Sequence, residues 1–260
     1  MGRALVRTAT EFPEIIVTGA LASPGSASLG RDAGELAGAG PLGVAVTCDP
    51  SAALAGADVV VDFSQPQATG PLLAACRTAR KPLLIGTTGI DAELPETGLV
   101  AAAREIPLLI ASNTSLGVTL LEELVRIAAR SLPEDFDIEI LEAHHRTKRD
   151  APSGTALSLA RAAADGRGLA AEEATAGAGR SRVGPRRQGE IGFAVVRGGD
   201  LVGEHTVLLA GPGEQLTLGH RASDRAIFAR GALRAALWLA GRPPGRYAMR
   251  DILYDNQQFV

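Results

Sequence analysis

A short apolar run that ends in polar residues, Asp58-Val-Val-Val-Asp-Phe-Ser64, sets the pattern for the first half of the chain. Similar runs alternate, from Glu14 to about Leu132, with Ala- and Leu-rich segments whose apolar residues have helical spacing. This alternation predicts a parallel sheet with crossover helices. The predicted strands are Ile15–Gly19, Val44–Cys48, Val59–Phe63, Leu83–Gly86 and Leu108–Ala111, and the predicted helices are Gln67–Arg80, Ala92–Arg104 and Val118–Ser131.

The ends of these strands are the first candidate ligand site, because open parallel sheets bind ligands beyond the carboxyl ends of their strands. The candidate segments are Asp62–Ser64, Gly86–Gly89 and Ala111–Ser115. Glycine after a strand can equally be only a turn, and Asn or Ser before a helix only a cap. The residues alone leave both interpretations open.

The second half of the chain has longer β-like segments joined by glycine turns, beginning after Asp135. They predict a second sheet, mixed or antiparallel, with strands Asp137–Ala143, Glu190–Arg197, Gly203–Ala210 and Gln215–His220. The predicted helices are Thr155–Ala164 and a closing Ala226–Ala240, and residues 166–188 are predicted to be a surface loop. The fold class is therefore α/β, with residues 1–114 and 226–260 in one domain and residues 115–225 in another.

Length, charge and cysteine content narrow the class of protein. The 260 residues carry a net charge of -3, and no apolar run approaches the ~20 residues that span a bilayer. No secretory signal pattern opens the chain, and Cys48 and Cys76 form neither a metal-ligand spacing nor a disulfide framework. We expect a cytoplasmic protein with no metal, membrane or nucleic-acid partner.

Two basic clusters stand out against this charge, at His144–Arg149 and Arg180–Arg187. The second would bind nucleic acid only with stacking aromatic side chains nearby, and it has none. Among the 26 lysines and arginines only Lys81 and Lys148 are lysine. Because lysine can donate a proton near neutral pH and arginine cannot, Lys148 invites a chemical role.

The densest polar signal is Glu142-Ala-His-His-Arg-Thr-Lys-Arg-Asp-Ala-Pro-Ser-Gly-Thr155. So many cations close together must face water or an anion. The Pro-Ser-Gly-Thr end predicts a helix start whose free backbone N–H groups can bind a carboxylate. A histidine and a lysine beside it could supply protons. The alternative is a solvated basic loop before a capped helix.

Together these residues resemble the 4-hydroxy-tetrahydrodipicolinate reductase family, formerly called dihydrodipicolinate reductases, of the diaminopimelate route to lysine. The resemblance covers nearly the whole chain, through Gly34–Gly38, Ile85–Gly89, Glu142–Thr155, Gly189–Phe193, Gly203–Thr206 and Phe228–Ala232. It implies a Rossmann-like dinucleotide-binding domain and an α+β mixed-sheet domain that binds substrate and assembles homotetramers. It also implies reduction of a cyclic dicarboxylate by NADPH or NADH.

The resemblance further implies roles for individual residues. His144 would be the proton donor or acceptor and Lys148 the proton donor. The carboxylates of the substrate would be held by His145, Gly154 and Thr155, and the nicotinamide side of the cofactor would lie against Gly86, Thr87, Thr88, Ala111, Ser112, Asn113 and Thr114. His205 and His220 fall on predicted strands, and we interpret them as structural.

Three features depart from the family pattern, one of them Thr114, where many relatives carry an aromatic residue. Members begin with a strand and a glycine-rich turn that would precede Met1, so for the chain as written we expect impaired folding and weak cofactor binding. A start assigned at an internal methionine and a real truncation both fit. In addition, Leu21-Ala-Ser23 offers no carboxylate where an acidic residue often binds the adenosine ribose, which favours NADPH.

Two other functions compete with the reductase interpretation. A non-catalytic or impaired homologue could keep the dicarboxylate pocket and the oligomer but lack cofactor binding; the presence of both His144 and Lys148 argues against it. A semialdehyde dehydrogenase would need a nucleophilic cysteine in an active-site turn. Cys48 ends a predicted strand and Cys76 lies in a predicted helix, so neither suits that role.

Overall fold

The computed structural model describes residues 1–170 and 184–255, which form two compact units. The first combines Met1–Ser115 with the segment that begins at Ala226, and the second is Leu116–Arg225. In chain order the described elements are α1 (Gly2–Ala9), β1 (Ala20–Leu21), α2 (Ala33–Ala37), β2 (Val46–Thr47), α3 (Pro50–Leu54), β3 (Val60–Asp62), α4 (Pro66–Ala79), β4 (Leu83–Ile85), a 3₁₀ turn (Ile90–Ala92), α5 (Glu96–Ala103), β5 (Pro107–Ile110), α6 (Leu116–Ser131), β6 (Asp137–His144), α7 (Gly154–Arg167), β7 (Ile191–Arg197), β8 (Gly203–Gly211), β9 (Glu214–Ala222), α8 (Ala226–Ala240), β10 (Gly245–Tyr247) and α9 (Met249–Asp255).

The first unit is built on a parallel sheet with the strand order β10-β5-β4-β3. Its central strand β4 is fully buried because Leu83, Leu84 and Ile85 meet apolar side chains on both faces. The prediction of a parallel sheet with crossover helices is therefore confirmed. The strand β10 was not predicted, since three residues after a Pro-rich turn carry no periodic signal.

The predicted strand Ile15–Gly19 is wrong. Pairing with β2 begins only at Ala20 and covers two residues of each strand. The two strands form a small sheet separate from the four-stranded sheet β10-β5-β4-β3. The β-branched run Ile15-Ile-Val17 has a high strand propensity, but a strand also needs a neighbour with which to exchange backbone hydrogen bonds. Ile16 is instead 82% exposed.

The second unit is a mixed sheet with the order β7-β6-β8-β9, in which β6 and β7 are parallel and the other pairs antiparallel. Alternate residues of β6 point to opposite faces, so Ile138 and Ile140 enter a core with side chains of α6 and α7. Glu142 and His144 continue the same buried face. The sheet thus carries two polar side chains at the end of an apolar row.

The segment after β6 enters α7 one residue earlier than predicted and leaves it later, at Arg167. Ser153 caps the helix, because its hydroxyl oxygen accepts a 3.1 Å hydrogen bond from the Ala156 N–H. The predicted loop 166–188 therefore starts inside a helix, and its residues 171–183 lie outside the described part of the chain. Of the helices in the described residues, none is both long and apolar enough to cross a membrane.

Candidate active site

The site is organised around His144, the last residue of β6. Its Nδ1 lies 2.5 Å from Oε2 of Glu142, two residues earlier on the same face of the strand. Since a carboxylate can only accept, Nδ1 carries the hydrogen and Nε2 is left to exchange a proton. On the Nε2 side lies Gly203, where a Cβ atom would come within 3.1 Å of the ring. Glycine therefore gives the imidazole its space.

Several charges act on the pKa of His144. Burial lowers it most, the hydrogen bond and negative charge of Glu142 oppose that effect, and the positive charges of Lys148 and Arg197 lower it again. The net effect is a pKa below the ordinary value. Neutral imidazole is thus favoured in the folded protein.

Glu142 is a buried carboxylate with three kinds of donor around it. Arg197 donates to both of its oxygens, at 2.8 and 2.7 Å, and the backbone N–H of Ser153 donates to Oε1 at 3.1 Å. Burial would raise the pKa of this carboxyl most, but the hydrogen bonds from Arg197, His144 and Ser153 together lower it. Glu142 is therefore ionised in a place where an unpaired charge would be costly.

Lys148 lies in the loop between β6 and α7, in an ion pair of 2.9 Å between its Nζ and Oδ2 of Asp150. The pair lowers the pKa of Asp150, chiefly through the hydrogen bond from Lys148. Asp150 is the more exposed partner, and its backbone carbonyl accepts a 2.7 Å hydrogen bond from Arg197. The loop that carries Lys148 is thus tied to the same arginine as Glu142.

His145 points to a different set of partners. Its Nδ1 lies 2.7 Å from the hydroxyl of Thr147, and its Nε2 lies 3.0 Å from Nη2 of Arg225. Because the guanidinium can only donate, Nε2 accepts and Nδ1–H donates to Thr147. Arg225 was not singled out from the sequence, since it is 80 residues away and only the fold brings it to His145.

The start of α7 completes this part of the site. Gly154 is exposed and Thr155 half-buried at the first two positions of a 14-residue helix, directly after the Ser153 cap. Backbone N–H groups at a helix start point away from the helix and favour an anion. The structure therefore brings together His144, Lys148, His145, Gly154 and Thr155 in a single strand, loop and helix start.

The predicted cofactor segments follow two adjacent strands of the first unit. Gly86 follows β4 and Ala111 follows β5, and the Ala111 N–H donates to the Ile85 carbonyl at 2.9 Å. A Cβ at Gly86 would come within 2.3 Å of the Phe63 ring, so glycine is required by this packing. Thr87 is buried next to it and Thr88 is exposed.

The second predicted cofactor segment, Ala111–Thr114, is held by contacts within the first unit. The hydroxyl of Thr114 donates a 2.7 Å hydrogen bond to the carbonyl of Phe228 in α8, and Asn113 Oδ1 accepts one of 2.9 Å from the Ser115 N–H. Ser112 is exposed. The side chain of Thr114 is thus committed to α8, whereas Asn113 is only half-buried at this strand end.

Two histidines interpreted as structural have different surroundings. His205 is buried, with its ring centre 5.1 Å from that of His144, and is therefore part of the site. Glu142, His144 and His205 place possible ligand atoms within 4.8 Å of one another. Arg197 already occupies both carboxylate oxygens of Glu142, and its positive charge opposes a cation there. His220 lies half-buried on β9.

The second basic cluster lies partly outside the described residues, which resume at 184. Within the described part, Arg186 forms an ion pair of 2.9 Å with Asp137 and donates to the Ile138 carbonyl at 2.7 Å. It also pairs with Glu139. This arginine holds the start of β6, so its charge is neutralised by acidic side chains of the protein itself.

These features define a two-domain α/β protein whose first unit has a Rossmann-like parallel sheet. The family model described as "Dihydrodipicolinate reductase, N-terminus" matches residues 1–114, and "Dihydrodipicolinate reductase, C-terminus" matches residues 117–253. The chain belongs to the dihydrodipicolinate reductase family.

Curated relatives match over almost their whole length. The proteins named 4-hydroxy-tetrahydrodipicolinate reductase from Alkalilimnicola ehrlichii and Ruegeria pomeroyi are each 52% identical over 253 residues, which is 97% of this chain and 94% of the relative. The relative of that name from Brucella abortus is 50% identical over 257 residues, 98% of this chain and 96% of its own.

Solved structures show the same fold. A dipicolinate-bound dihydrodipicolinate reductase from Paenisporosarcina sp. TG-14 superposes with a TM-score of 0.74 at 21% identity, covering 95% of this chain and 92% of that one. An amine dehydrogenase from Mycobacterium smegmatis superposes with a TM-score of 0.57 at 14% identity, over 96% of this chain and 93% of that one. The predicted family and fold class are confirmed by these comparisons.

Proposed function

We propose that this chain reduces 4-hydroxy-tetrahydrodipicolinate to tetrahydrodipicolinate with NADPH or NADH, in the diaminopimelate route to lysine. Relatives about half identical over nearly the full length carry the name of this activity. The observation that carries the proposal is the strand, loop and helix start that place His144 and Lys148 beside the start of α7. Overall the reaction adds hydride and a proton and releases the 4-hydroxyl group as water.

The proposed substrate-binding residues are His145, Gly154 and Thr155. The two helix-start residues offer backbone N–H groups to one carboxylate, and the helix dipole favours its negative charge. Arg225 lies 3.0 Å from His145 and adds a permanent positive charge on that side. A dicarboxylate fits this distribution because one carboxylate would meet the N–H groups of the helix start and the other the positive charge of Arg225 beside His145.

The proposed proton-transfer residues are His144 and Lys148. His144 keeps Nε2 for the proton because Nδ1 is engaged by Glu142. Lys148 can release its proton as the reduced product accepts it, and Asp150 holds the ammonium group in place until then. No metal enters this scheme.

The proposed cofactor residues are Gly86, Thr87 and Thr88 with Ala111, Ser112, Asn113 and Thr114. Supporting this, the hydroxyl oxygen of Thr87 is buried without a hydrogen-bond partner in the described residues, as expected for a group that meets a polar ligand. The nicotinamide would supply the hydride. At the end of β1, Ala22 and Ser23 provide no carboxylate for a ribose, which favours NADPH over NADH.

We also propose a cytoplasmic homotetramer, with residues 1–114 and 226–260 binding the dinucleotide and residues 115–225 binding substrate and forming the oligomer. The outer face of the second sheet carries Leu141 and Val196, which are 40% and 55% exposed. Leu120, Leu124 and Ile127 form a further exposed row on α6. Apolar surface of this kind is typical of subunit interfaces.

The proposal is tested by fluorescence titration of NADPH into the purified 260-residue chain, with and without pyridine-2,6-dicarboxylate, followed by assay with the hydroxy substrate. Binding that the dicarboxylate strengthens, together with turnover, is the expected result. Dicarboxylate binding without NADPH binding would instead identify the impaired homologue. A parallel titration with NADH checks the expected preference for NADPH.

A further inference from the structure

The carboxylate of Glu142 connects two functions that the sequence presents separately. One oxygen, Oε2, contacts Nδ1 of His144, and the other, Oε1, accepts the backbone N–H of Ser153. Ser153 directly precedes the helix start that holds Gly154 and Thr155. A single side chain therefore contacts both the proposed proton-transfer group and the proposed carboxylate-binding segment.

The contact with His144 decides which of its nitrogens can react. An ionised carboxylate at 2.5 Å from Nδ1 requires a hydrogen on that atom. The lone pair, or the second proton of the imidazolium, is then confined to Nε2. Without the carboxylate the neutral ring is free to adopt the other tautomer, with the hydrogen on Nε2.

Arg197 is the group that keeps this carboxylate charged and oriented. It donates to both oxygens of Glu142 in a bidentate pair and also to the carbonyl of Asp150. Asp150 in turn pairs with Lys148. Arg197 is 55 residues from Glu142 and reaches it because β7 lies parallel to β6. The network thus joins the end of β6, the loop and the start of α7.

We propose that Glu142 is a positioning residue for catalysis: it fixes His144 in the Nδ1–H tautomer and anchors the start of α7, while Arg197 holds its carboxylate in place. The proposal rests on the function proposed above, because it gives His144 its chemical role. It adds a buried residue whose carboxylate is engaged by His144, Ser153 and Arg197, and which acts through the groups that it positions.

The test is the substitution Glu142→Gln, which keeps size and shape. The amide oxygen can still accept the Ser153 N–H, but the amide nitrogen now faces Nδ1 as a donor and demands the opposite tautomer. We expect kcat to fall on the order of 10²-fold or more, as for loss of a positioned acid–base group, while KM for the dicarboxylate substrate changes little. A general loss of folded protein would lower the apparent kcat without any change of tautomer.

The tautomer is read directly by solid-state ¹⁵N NMR of histidine-labelled protein at a pH where His144 is neutral. The chain has four histidines, and the His144 signals are assigned by their loss in His144→Asn. Nδ1–H in the parent and Nε2–H in Glu142→Gln, with the fall in kcat, are expected. Nε2–H in the parent, or near-parental kcat in the variant, overturns the proposal.

Two further variants keep the outcome interpretable. Glu105→Gln removes a carboxylate from another bidentate arginine pair, with Arg77 at 3.0 and 2.5 Å, and should leave kcat and the His144 signals unchanged. If Glu142→Gln does not fold because Arg197 is left unpaired, the double variant Glu142→Gln with Arg197→Gln removes that charge and must show the same tautomer. An inactive parent with Nδ1–H on His144 would refute the proposed function alone.

Discussion

The hydroxyl oxygen of Ser153 lies 3.0 Å from Nε2 of His205, and both side chains are buried. The cap of α7 is therefore bonded to a histidine from β8, 52 residues further along the chain. Burial, followed by the positive charge of His144, lowers the pKa of His205 to about 4. The site thus contains a histidine that the folded protein keeps neutral.

This histidine makes stability depend on pH. Because its pKa falls from 6.5 to about 4 on folding, the unfolded chain binds more protons between these values. The contribution of His205 to the free energy of unfolding is fully present above pH 6.5. It is lost as the pH falls towards 4, a decrease on the order of 3 kcal/mol. Urea unfolding at a series of pH values measures the slope. His205→Gln should reduce it, and an unchanged slope would contradict the assignment.

Replacement of Lys148 separates charge from proton donation. Lys148→Arg keeps a cation next to Asp150, but a guanidinium does not release a proton near neutral pH. We expect kcat to fall about 10²-fold or more, with KM changed only a few-fold. Lys81→Arg, at the other lysine of the chain, is the matched control and should be neutral. Steady-state kinetics decide the point, and near-normal kcat in Lys148→Arg removes its role as proton donor.

Replacement of Gly86, which follows β4, should weaken the binding of NADPH. In Gly86→Ala the new Cβ would come within 2.3 Å of the Phe63 ring, so the segment or the ring must move. Overpacking of this kind costs about 1–3 kcal/mol, and we expect NADPH affinity to fall roughly 10-fold. Fluorescence titration measures the affinity. Adding Phe63→Leu should restore it, and Gly98→Ala, whose Cβ would be 3.8 Å from Pro95, should leave it unchanged.

A charge on the exposed face of the second sheet, which carries Leu141 and Val196, should weaken the proposed oligomer. Leu141→Asp places a charge on an exposed apolar position of β6, which a subunit interface would have to desolvate. We expect sedimentation velocity to show a shift from the proposed tetramer to smaller species. Val100→Asp on α5 changes a side chain of similar exposure, 39% against 40%, and should leave the tetramer intact. A tetramer that survives Leu141→Asp would place the interface elsewhere.

The sequence was sufficient where chemistry is local. Helical spacing predicted α4 and α6, and the Pro-Ser-Gly-Thr end predicted the start of α7, because each pattern lies within a few residues. The strand predicted at Ile15–Gly19 failed because a strand depends on a neighbour as well as on its own residues.

The candidate site likewise contains residues that a local sequence pattern identifies and residues that only the fold identifies. His144, His145 and Lys148 could be chosen from one segment, because a dense group of cations demands an explanation. The roles of Arg197, His205 and Arg225 could not, since they lie 52 to 80 residues from their partners and depend on strand register. In the sequence each is an ordinary residue of a strand or loop.

The discontinuity of the first unit has a consequence for the order of assembly during translation. The segment that begins at Ala226 closes this unit, with α8 so close to the backbone after β5 that a Cβ at Gly231 would overlap the Thr114 carbonyl. The ribosome synthesises the whole of Leu116–Arg225 before that helix is made. The second unit therefore has all its residues before the first unit does. The first unit remains incompletely covered until α8 is synthesised.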